Sequence, residues 1–302
     1  MRKNQAKTGK PAAGRGVVEV LRARSLGALP WLVHGFSTRA GGVSAVYGGR
    51  QLNLGMTRED RRENVLRNRE RFLKAAGAQA MKVSTVNQIH SSIIHRVVAG
   101  GRSFGTLRKG GPARAGDGLI TNLRGVLLSV RVADCYPIIV ADPRHKAVGI
   151  FHAGWRGTAR RIAEKGVGEM RRAFGSLPEE LLAVIGPGIG GCSCEIGPEV
   201  EDEFACQFAY SSEIFFDVYD SQKLHAKYPL LFLNQRPPGH GDPALSRHVD
   251  LLEANRRQLL AAGVQADHIE ALGLCTACRT DIFFSYRREH VTGRMMAVVG
   301  IR

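Results

Sequence analysis

Residues 126–157, VLLSVRVADCYPIIVADPRHKAVGIFHAGWRG, set the architecture that we expect for the whole chain. Apolar and β-branched runs occupy 126–132, 137–141 and 147–152, and polar residues or prolines separate them. Apolar runs separated in this way are typical of consecutive strands. We therefore predict three buried strands, followed by a helix over about 157–174 whose apolar residues recur at helical spacing.

The flanking sequence extends this strand-rich centre in both directions. We predict further strands at 17–21, 31–37, 82–86, 93–98, 117–121, 181–185, 281–285 and 295–301. We predict further helices at about 60–76, 198–208 and 248–262, and a glycine-rich turn at Gly41-Gly42. Clustered strands with helices around them indicate an α+β fold of packed mixed sheets, rather than a strictly alternating parallel one.

Composition favours one globular unit. The chain has 302 residues with 44% hydrophobic content, enough for a full core. We expect a disordered basic tail at 1–16 and a single domain at 17–302. No apolar run approaches the roughly 18 residues that span a bilayer, and no signal peptide is evident. Six cysteines in a chain of this length indicate reduced thiols in the cytoplasm.

The charge balance favours anionic ligands. The chain carries 43 Lys and Arg against 27 Asp and Glu, for a net charge of +16. Such an excess favours phosphates or nucleotides as ligands, but solvated surface charge is the simpler explanation and the one that we favour. Nucleic acid is an unlikely partner because no zinc finger or RNA-binding motif organises the charge. A nucleic-acid-binding accessory remains the non-enzymatic alternative.

Three predicted strand ends carry metal-ligand side chains. His90 follows the strand at 82–86, Cys135 follows 126–132, and His152 closes 147–152. Two imidazoles and a thiolate suit zinc with an open fourth position. We expect Asp134 to orient a ligand beside Cys135. From spacing alone, ordinary packing roles for these three side chains remain the more common alternative.

Two other motifs are weaker. Gly186-Pro187-Gly188-Ile189-Gly190-Gly191 matches G-x-G-x-x-G, but Gly197-Pro198 delays the helix that a dinucleotide site needs, which favours a structural turn. His268-Ile269-Glu270 and Cys275-Thr276-Ala277-Cys278 imitate nucleobase deaminase motifs, but they lie too close together to surround one metal. For the C-x-x-C pair we favour structural thiols over a redox or metal site.

Many ordered motifs resemble one family over about 31–302. The chain resembles the YfiH/DUF152 family, also described as multicopper polyphenol oxidases or laccase-domain proteins and associated with purine nucleoside metabolism. The motifs that carry the resemblance are His34 to Arg39, Leu52 to Gly55, Gln88 to His90, Asp117 to Thr121, Ala133 to Pro137, His152 to Gly157, Gly186 to Gly190, Glu195 to Gly197, Val249 to Leu251, Cys275-Thr276 and Phe284 to Arg288.

The resemblance implies a layered α/β/β/α fold and a zinc site at His90, Cys135 and His152. It implies phosphorolysis of adenosine, inosine and methylthioadenosine to a base and ribose 1-phosphate, together with deamination of adenosine. The candidates for substrate binding are Arg39, Asn53 and Arg287. For each of them, a structural role in fixing a loop is an equally open alternative.

Two other enzyme activities remain alternatives. Cu²⁺ is possible at a His₂Cys site, but the ten histidines include no H-x-H pair, which argues against a polyphenol oxidase. Cys135 and His152 could instead form the thiol and base of a cysteine amidase that edits peptidoglycan precursors.

Overall fold

The computed structural model describes residues 16–100, 114–219 and 245–302. Apart from Gly16, the predicted basic tail lies outside the described residues. The strands are β1 Val20–Leu21, β2 Leu32–Ser37, β3 Ala40–Ser44, β4 Lys82–Thr85, β5 Ile94–Arg96, β6 Gly118–Thr121, β7 Val126–Val132, β8 Tyr136–Asp142, β9 Ala147–Ala153, β10 Leu182–Ile185, β11 Phe215–Tyr219, β12 Leu245–Val249, β13 Ile269–Ala271 and β14 Met295–Ile301. The helices are α1 Arg24–Gly27, α2 Arg62–Ala76, α3 Trp155–Ala159, α4 Ile162–Phe174, α5 Pro198–Ala205, α6 Ser211–Ile214, α7 Leu251–Ala261 and α8 Tyr286–Glu289.

Two mixed sheets form the centre of the molecule. One has the order β1-β2-β14-β7-β4 and the other β13-β10-β8-β9-β6-β5, while β11 pairs with β12 separately. Apolar side chains of both large sheets meet in a shared core, and helix α2 packs on the outer face of the first sheet. Helices α4 and α7 cover the outer face of the second. The predicted layered α/β/β/α arrangement is confirmed.

Burial on both faces explains the continuous apolar runs. In β14, Met296 and Val298 belong to the core shared with α2, whereas Ala297 and Val299 face the core between the sheets. Successive side chains of a strand point to opposite faces, so a strand with two covered faces needs apolar residues at every position.

Strand pairing brings distant segments to one edge. In the second sheet β8 is antiparallel to β9, with Pro137 opposite His152, so the start of β8 lies beside the end of β9. In the first sheet β4 is parallel to β7, with Thr85 opposite Ser129. The segments that follow β4 and β7 therefore leave the sheet at the same edge, and both lead to predicted ligands.

Three predictions about elements were wrong. The helix over 157–174 is two helices, because Arg161 between them adopts a left-handed backbone with φ of 61°. The strand at 281–285 is a turn in which Phe283 and Phe284 are buried, and Ser285 caps α8. Gly41 and Gly42 lie in β3: a Cβ on Gly42 would come 2.1 Å from the Gln51 carbonyl oxygen, so close backbone approach explains the glycine.

Candidate functional site

His90, Cys135 and His152 converge where the two sheets meet. Their nitrogen and sulfur ligand atoms all lie within 4.8 Å of one another. The two imidazole rings are 5.0 Å apart between centroids and inclined at 62°. His152 is buried, Cys135 is half-buried and His90 is exposed, which leaves one side of the cluster accessible. A metal ion held by these atoms would keep a coordination position on that side.

Asp117, just before β6, organises the cluster. Its carboxylate accepts backbone hydrogen bonds from Ile89, His90 and Ser91 at 2.6 to 3.2 Å. Its Oδ1 also lies 2.8 Å from Nδ1 of His152. One carboxylate therefore fixes the turn that carries His90, whose φ is 57°, and leaves Nε2 of His152 for a ligand or metal.

Sequence reasoning missed this role for Asp117. The only local signal was a lone carboxylate in front of a buried strand, and such a residue usually caps a loop. Asp134, which we expected to orient a ligand, has different partners. Its carboxylate accepts hydrogen bonds from the Thr276 hydroxyl and the Arg287 backbone N–H, both at 2.7 Å. Asp134 therefore ties the Cys135 loop to two later loops.

Charges in the cluster stabilise one another. Burial opposes ionisation of Cys135, but the neighbouring His152 and His90 lower the pKa of the thiol to about 6. Burial likewise opposes protonation of His152, but Cys135 and Asp117 raise its pKa to about 9. Against its own burial, hydrogen bonds from His152 and Ser91 hold the pKa of Asp117 at about 2. Without metal, a thiolate and an imidazolium thus face each other at neutral pH.

The cluster lines a cavity of about 860 Å³. This volume lies within the range of roughly 300–1,000 Å³ that is usual for small-molecule sites. Basic side chains in the lining are Arg58, Arg131, Arg287 and Arg294. Larger apolar or aromatic side chains in the lining are Met56, Trp155, Ile189, Leu251, Tyr286 and Val291. Two acidic residues, Glu59 and Asp134, also line it, so the cavity combines four guanidinium groups and two carboxylates with surfaces that suit a flat apolar ring.

The three substrate-binding candidates occupy different places. Arg287 lines the cavity. Arg39 is buried elsewhere, where its guanidinium donates to Glu289 at 2.8 Å and lies over the Phe284 ring. Asn53 is fully buried, and its Oδ1 accepts the backbone N–H of Arg294 at 2.9 Å. Contrary to the expected location, Arg39 and Asn53 are not among the residues that line the cavity, and their side chains hydrogen-bond within loops.

The glycine-rich segment is a structural turn, as the delayed helix predicted. The Gly188 backbone N–H bonds to the Leu274 carbonyl oxygen, and α5 begins only at Pro198. Ile189 from this turn lines the cavity. The segment therefore shapes a wall of the site without presenting a helix terminus to a ligand.

Comparison with known families identifies the chain. Residues 33–302 match the family model described as multi-copper polyphenol oxidoreductase laccase, the YfiH/DUF152 family. The chain belongs to this family. YfiH/DUF152 relatives include a Deinococcus radiodurans protein named purine nucleoside phosphorylase, 36% identical over 93% of this chain and 92% of the relative.

Solved YfiH/DUF152 structures share the fold. The crystal structure of YlmD from Geobacillus stearothermophilus matches with a TM-score of 0.73 and 33% identity, covering 93% of this chain and 94% of that one. The structure of the hypothetical protein YfiH from Bacillus licheniformis gives a TM-score of 0.75 at 32% identity, covering 90% and 93%. Within the described residues, no helix has the length and apolar character that crossing a membrane requires.

Proposed function

We propose that this protein is a zinc-dependent purine nucleoside phosphorylase that cleaves adenosine, inosine and methylthioadenosine with phosphate, and that it also deaminates adenosine. The observation that carries this proposal is the His90, Cys135 and His152 cluster on the wall of an arginine-lined cavity. The names of the curated relatives support the same reaction class.

The donor set suits zinc. Two imidazole nitrogens and one thiolate are typical of a catalytic zinc site with an open position, and Asp117 supplies the hydrogen bond that orients one imidazole. Bound zinc would act there as a Lewis acid, and Cu²⁺ is the alternative ion for these donors. Loading would displace the proton that His152 carries in the metal-free cluster.

The arginines supply a place for phosphate. Burial, followed by the nearby charge of Arg294, lowers the pKa of Arg131, and both guanidinium groups line the cavity. An anion accepts charge-assisted hydrogen bonds from planar guanidinium groups. We infer that Arg131 and Arg294 hold phosphate, with Arg287 and Arg58 on the same lining.

The aromatic lining supplies a place for the purine. Trp155 and Tyr286 both face the cavity, and Tyr286 is 55% exposed, so a flat base can cover its ring. In the reaction, a phosphate oxygen bonds to C1′ of the ribose while the bond from C1′ to the base breaks. Holding both reactants in one cavity lowers the entropic part of that barrier.

Product analysis tests the proposal. Purified protein is incubated with adenosine in the presence and absence of phosphate, and adenine, ribose 1-phosphate and inosine are separated by chromatography. We expect ribose 1-phosphate only when phosphate is present, in an amount equal to adenine plus the hypoxanthine released from inosine, and we expect inosine in both reactions. Release of neither base nor inosine under conditions where the protein is folded and metal-loaded would overturn the proposal.

One geometric observation favours a second candidate. Asp117, His152 and Cys135 form the acid, base and thiol arrangement of a cysteine hydrolase, because His152 bonds to the carboxylate and contacts the thiol. An amidase acting on peptidoglycan precursors would release an amino acid without phosphate. It would also be blocked by a thiol alkylator with no metal present, whereas the phosphorylase needs its metal.

A polyphenol oxidase is the third candidate and the least supported. Multicopper oxidases use many histidine ligands, whereas the mixed histidine and cysteine group found among the described residues contains two. This activity is tested by measuring oxygen consumption when the same purified protein is incubated with a phenol and Cu²⁺.

A further inference from the structure

A second group of potential ligands lies outside the proposed active site. Cys192 belongs to the turn after the glycine-rich segment, and Cys275 and Cys278 belong to the loop after β13. All three sulfurs lie within 4.8 Å of one another. We propose that these three cysteines bind a second zinc ion, which clamps the two loops together behind the cavity.

The backbone builds this arrangement independently of the thiols. The Gly188 N–H donates to the Leu274 carbonyl oxygen at 3.3 Å, and the Thr276 N–H donates to the Gly188 carbonyl oxygen at 3.0 Å. The two loops are therefore held side by side, and the cysteines are presented from fixed positions. Preorganised ligands lose little conformational entropy when a metal binds.

The sulfur spacing suits tetrahedral zinc. With a Zn–S distance of about 2.3 Å, tetrahedral ligands are about 3.8 Å apart. The Cys192 sulfur lies 3.4 Å from that of Cys278 and 3.7 Å from that of Cys275. A disulfide requires about 2.05 Å and would leave one of the three thiols unused. The pair Cys275 and Cys278 also has the C-x-x-C spacing of structural zinc ligands.

The neighbours of Cys275 and Cys278 include hydrogen-bond donors and a cation. The Gly190 backbone N–H donates to the Cys275 sulfur at 3.2 Å, a contact that stabilises negative charge on sulfur. The Ser193 hydroxyl lies 3.5 Å from the Cys278 sulfur, and the Arg288 guanidinium contacts that hydroxyl.

Exposure distinguishes the cluster from its neighbour Cys194. Cys192 and Cys278 are exposed, so an ion can reach them and water can take the fourth position. Cys194 is 4% exposed and lines the cavity, and its sulfur is not part of this group of three. The proposed site therefore has three protein ligands and one solvent position.

The clamp would stabilise the cavity wall. Ile189 lies three residues before Cys192 and lines the cavity. Arg287 also lines the cavity, and the next residue, Arg288, donates a hydrogen bond to the Ser193 hydroxyl beside the cysteines. Because zinc would hold these segments from behind, its loss should lower stability more than it lowers turnover.

Metal content of the full-length protein tests the proposal. Protein purified under reducing conditions is assayed for zinc per chain by elemental analysis. We expect about two zinc ions in the wild type, one in Cys278→Ser, one in Cys135→Ser and none in the double variant. Cys206→Ser, which removes an exposed thiol outside both clusters, is the matched control and should keep two. An unchanged zinc content in Cys278→Ser overturns the proposal.

A second measurement applies even if a variant fails to fold. Wild-type protein stripped of metal is alkylated with and without added Zn²⁺, and each cysteine peptide is quantified by mass spectrometry. Zinc should protect Cys192, Cys275 and Cys278 at least about tenfold, while Cys206 is labelled at the same rate. Equal labelling, or a metal-free disulfide between these cysteines in the reduced preparation, overturns the proposal. Because protection at this cluster is scored separately from Cys135, its failure is distinguishable from failure of the proposed function.

Discussion

The two cysteine-containing clusters differ in burial, ligand type and support. The first joins two imidazoles to one thiolate at the ends of core strands, and a buried carboxylate fixes one imidazole. The second joins three thiols on two surface loops, held by backbone hydrogen bonds. The first opens onto the large cavity, whereas the second lies behind its wall. Both clusters contain cysteine, so we base their proposed roles on position. We propose a catalytic role for the cluster that opens onto the cavity and a stabilising role for the cluster behind the wall.

Asp134 connects the two clusters. It precedes Cys135, and its carboxylate accepts hydrogen bonds from Thr276 and Arg287. Thr276 lies between Cys275 and Cys278, so a disturbance at the second cluster can reach the first through one buried carboxylate. We therefore expect the clusters to be separable in function but weakly coupled in stability.

Removal of one imidazole should give the largest difference between the clusters. His90→Ala takes away a proposed ligand, and we expect phosphorolysis to fall by about 1,000-fold, since the metal chemistry is lost. Cys278→Ser should cost less than about tenfold in the same assay, because it acts only on the wall. Steady-state kinetics of adenine release, with His145→Ala as the control outside both clusters, check this. Equal losses in His90→Ala and Cys278→Ser would remove the distinction.

Alkylation of the metal-free protein should separate the thiols. The pKa of Cys135 is lowered to about 6, whereas partial burial and the hydrogen bond with Cys278 raise the pKa of Cys192 to about 11. Thiolate forms above the pKa, so at pH 7 Cys135 is ionised and Cys192 is not. Allowing for the weaker nucleophilicity of a low-pKa thiolate, Cys135 should react with iodoacetamide about 100-fold faster. Peptide mass spectrometry of initial rates measures this, and similar rates would contradict the assigned charges.

The carboxylate behind the first cluster should have an intermediate effect. Asp117→Asn keeps the size of the side chain but removes the charge that orients His152 and the His90 turn. We expect metal affinity and turnover to fall by about 10–100-fold. Competition with a chromogenic chelator gives the affinity. Asp281→Asn, which alters an exposed carboxylate paired with Arg279, should leave both unchanged.

A single methyl group should produce the smallest effect. A Cβ on Gly154 would lie 2.8 Å from the Cys135 sulfur and 3.1 Å from Cδ2 of His90, so Gly154→Ala should displace both ligands slightly. We expect turnover to fall about tenfold, since small misplacements of reacting groups are costly. Gly168→Ala in α4, where a Cβ meets no atom within 4 Å, should keep full activity.

The sequence predicted the strands that carry this site better than the hydrogen bonds that hold its side chains in place. Uninterrupted apolar runs identified β7, β8 and β9, and the residues at their ends included Cys135 and His152. The role of Asp117 was missed, and Asp134 was assigned a different partner. Both errors arise because the hydrogen bonds of these residues join segments 26 to 153 residues apart. Local pattern carries no signal for contacts of that range.

The second cluster shows the same limit. C-x-x-C was visible as a motif, but its third member, Cys192, lies 83 residues before Cys275 and reaches it only through the pairing of two loops. The cavity arginines likewise come from separate segments, so the net charge of +16, which solvated surface charge or an anionic ligand could explain, did not indicate where these side chains converge. Strand patterns are local, whereas sites depend on tertiary contacts.

The role of zinc at the first cluster is tested most directly by measuring bound zinc and phosphate-dependent adenine release in the same samples. The samples are wild type, Cys135→Ser and Cys206→Ser. Serine preserves the shape of the side chain but replaces a thiolate ligand with a poorly coordinating hydroxyl. We expect Cys135→Ser to lose the zinc of the first cluster and the activity together, and Cys206→Ser to lose neither. Full phosphorolysis by Cys135→Ser would contradict this expectation.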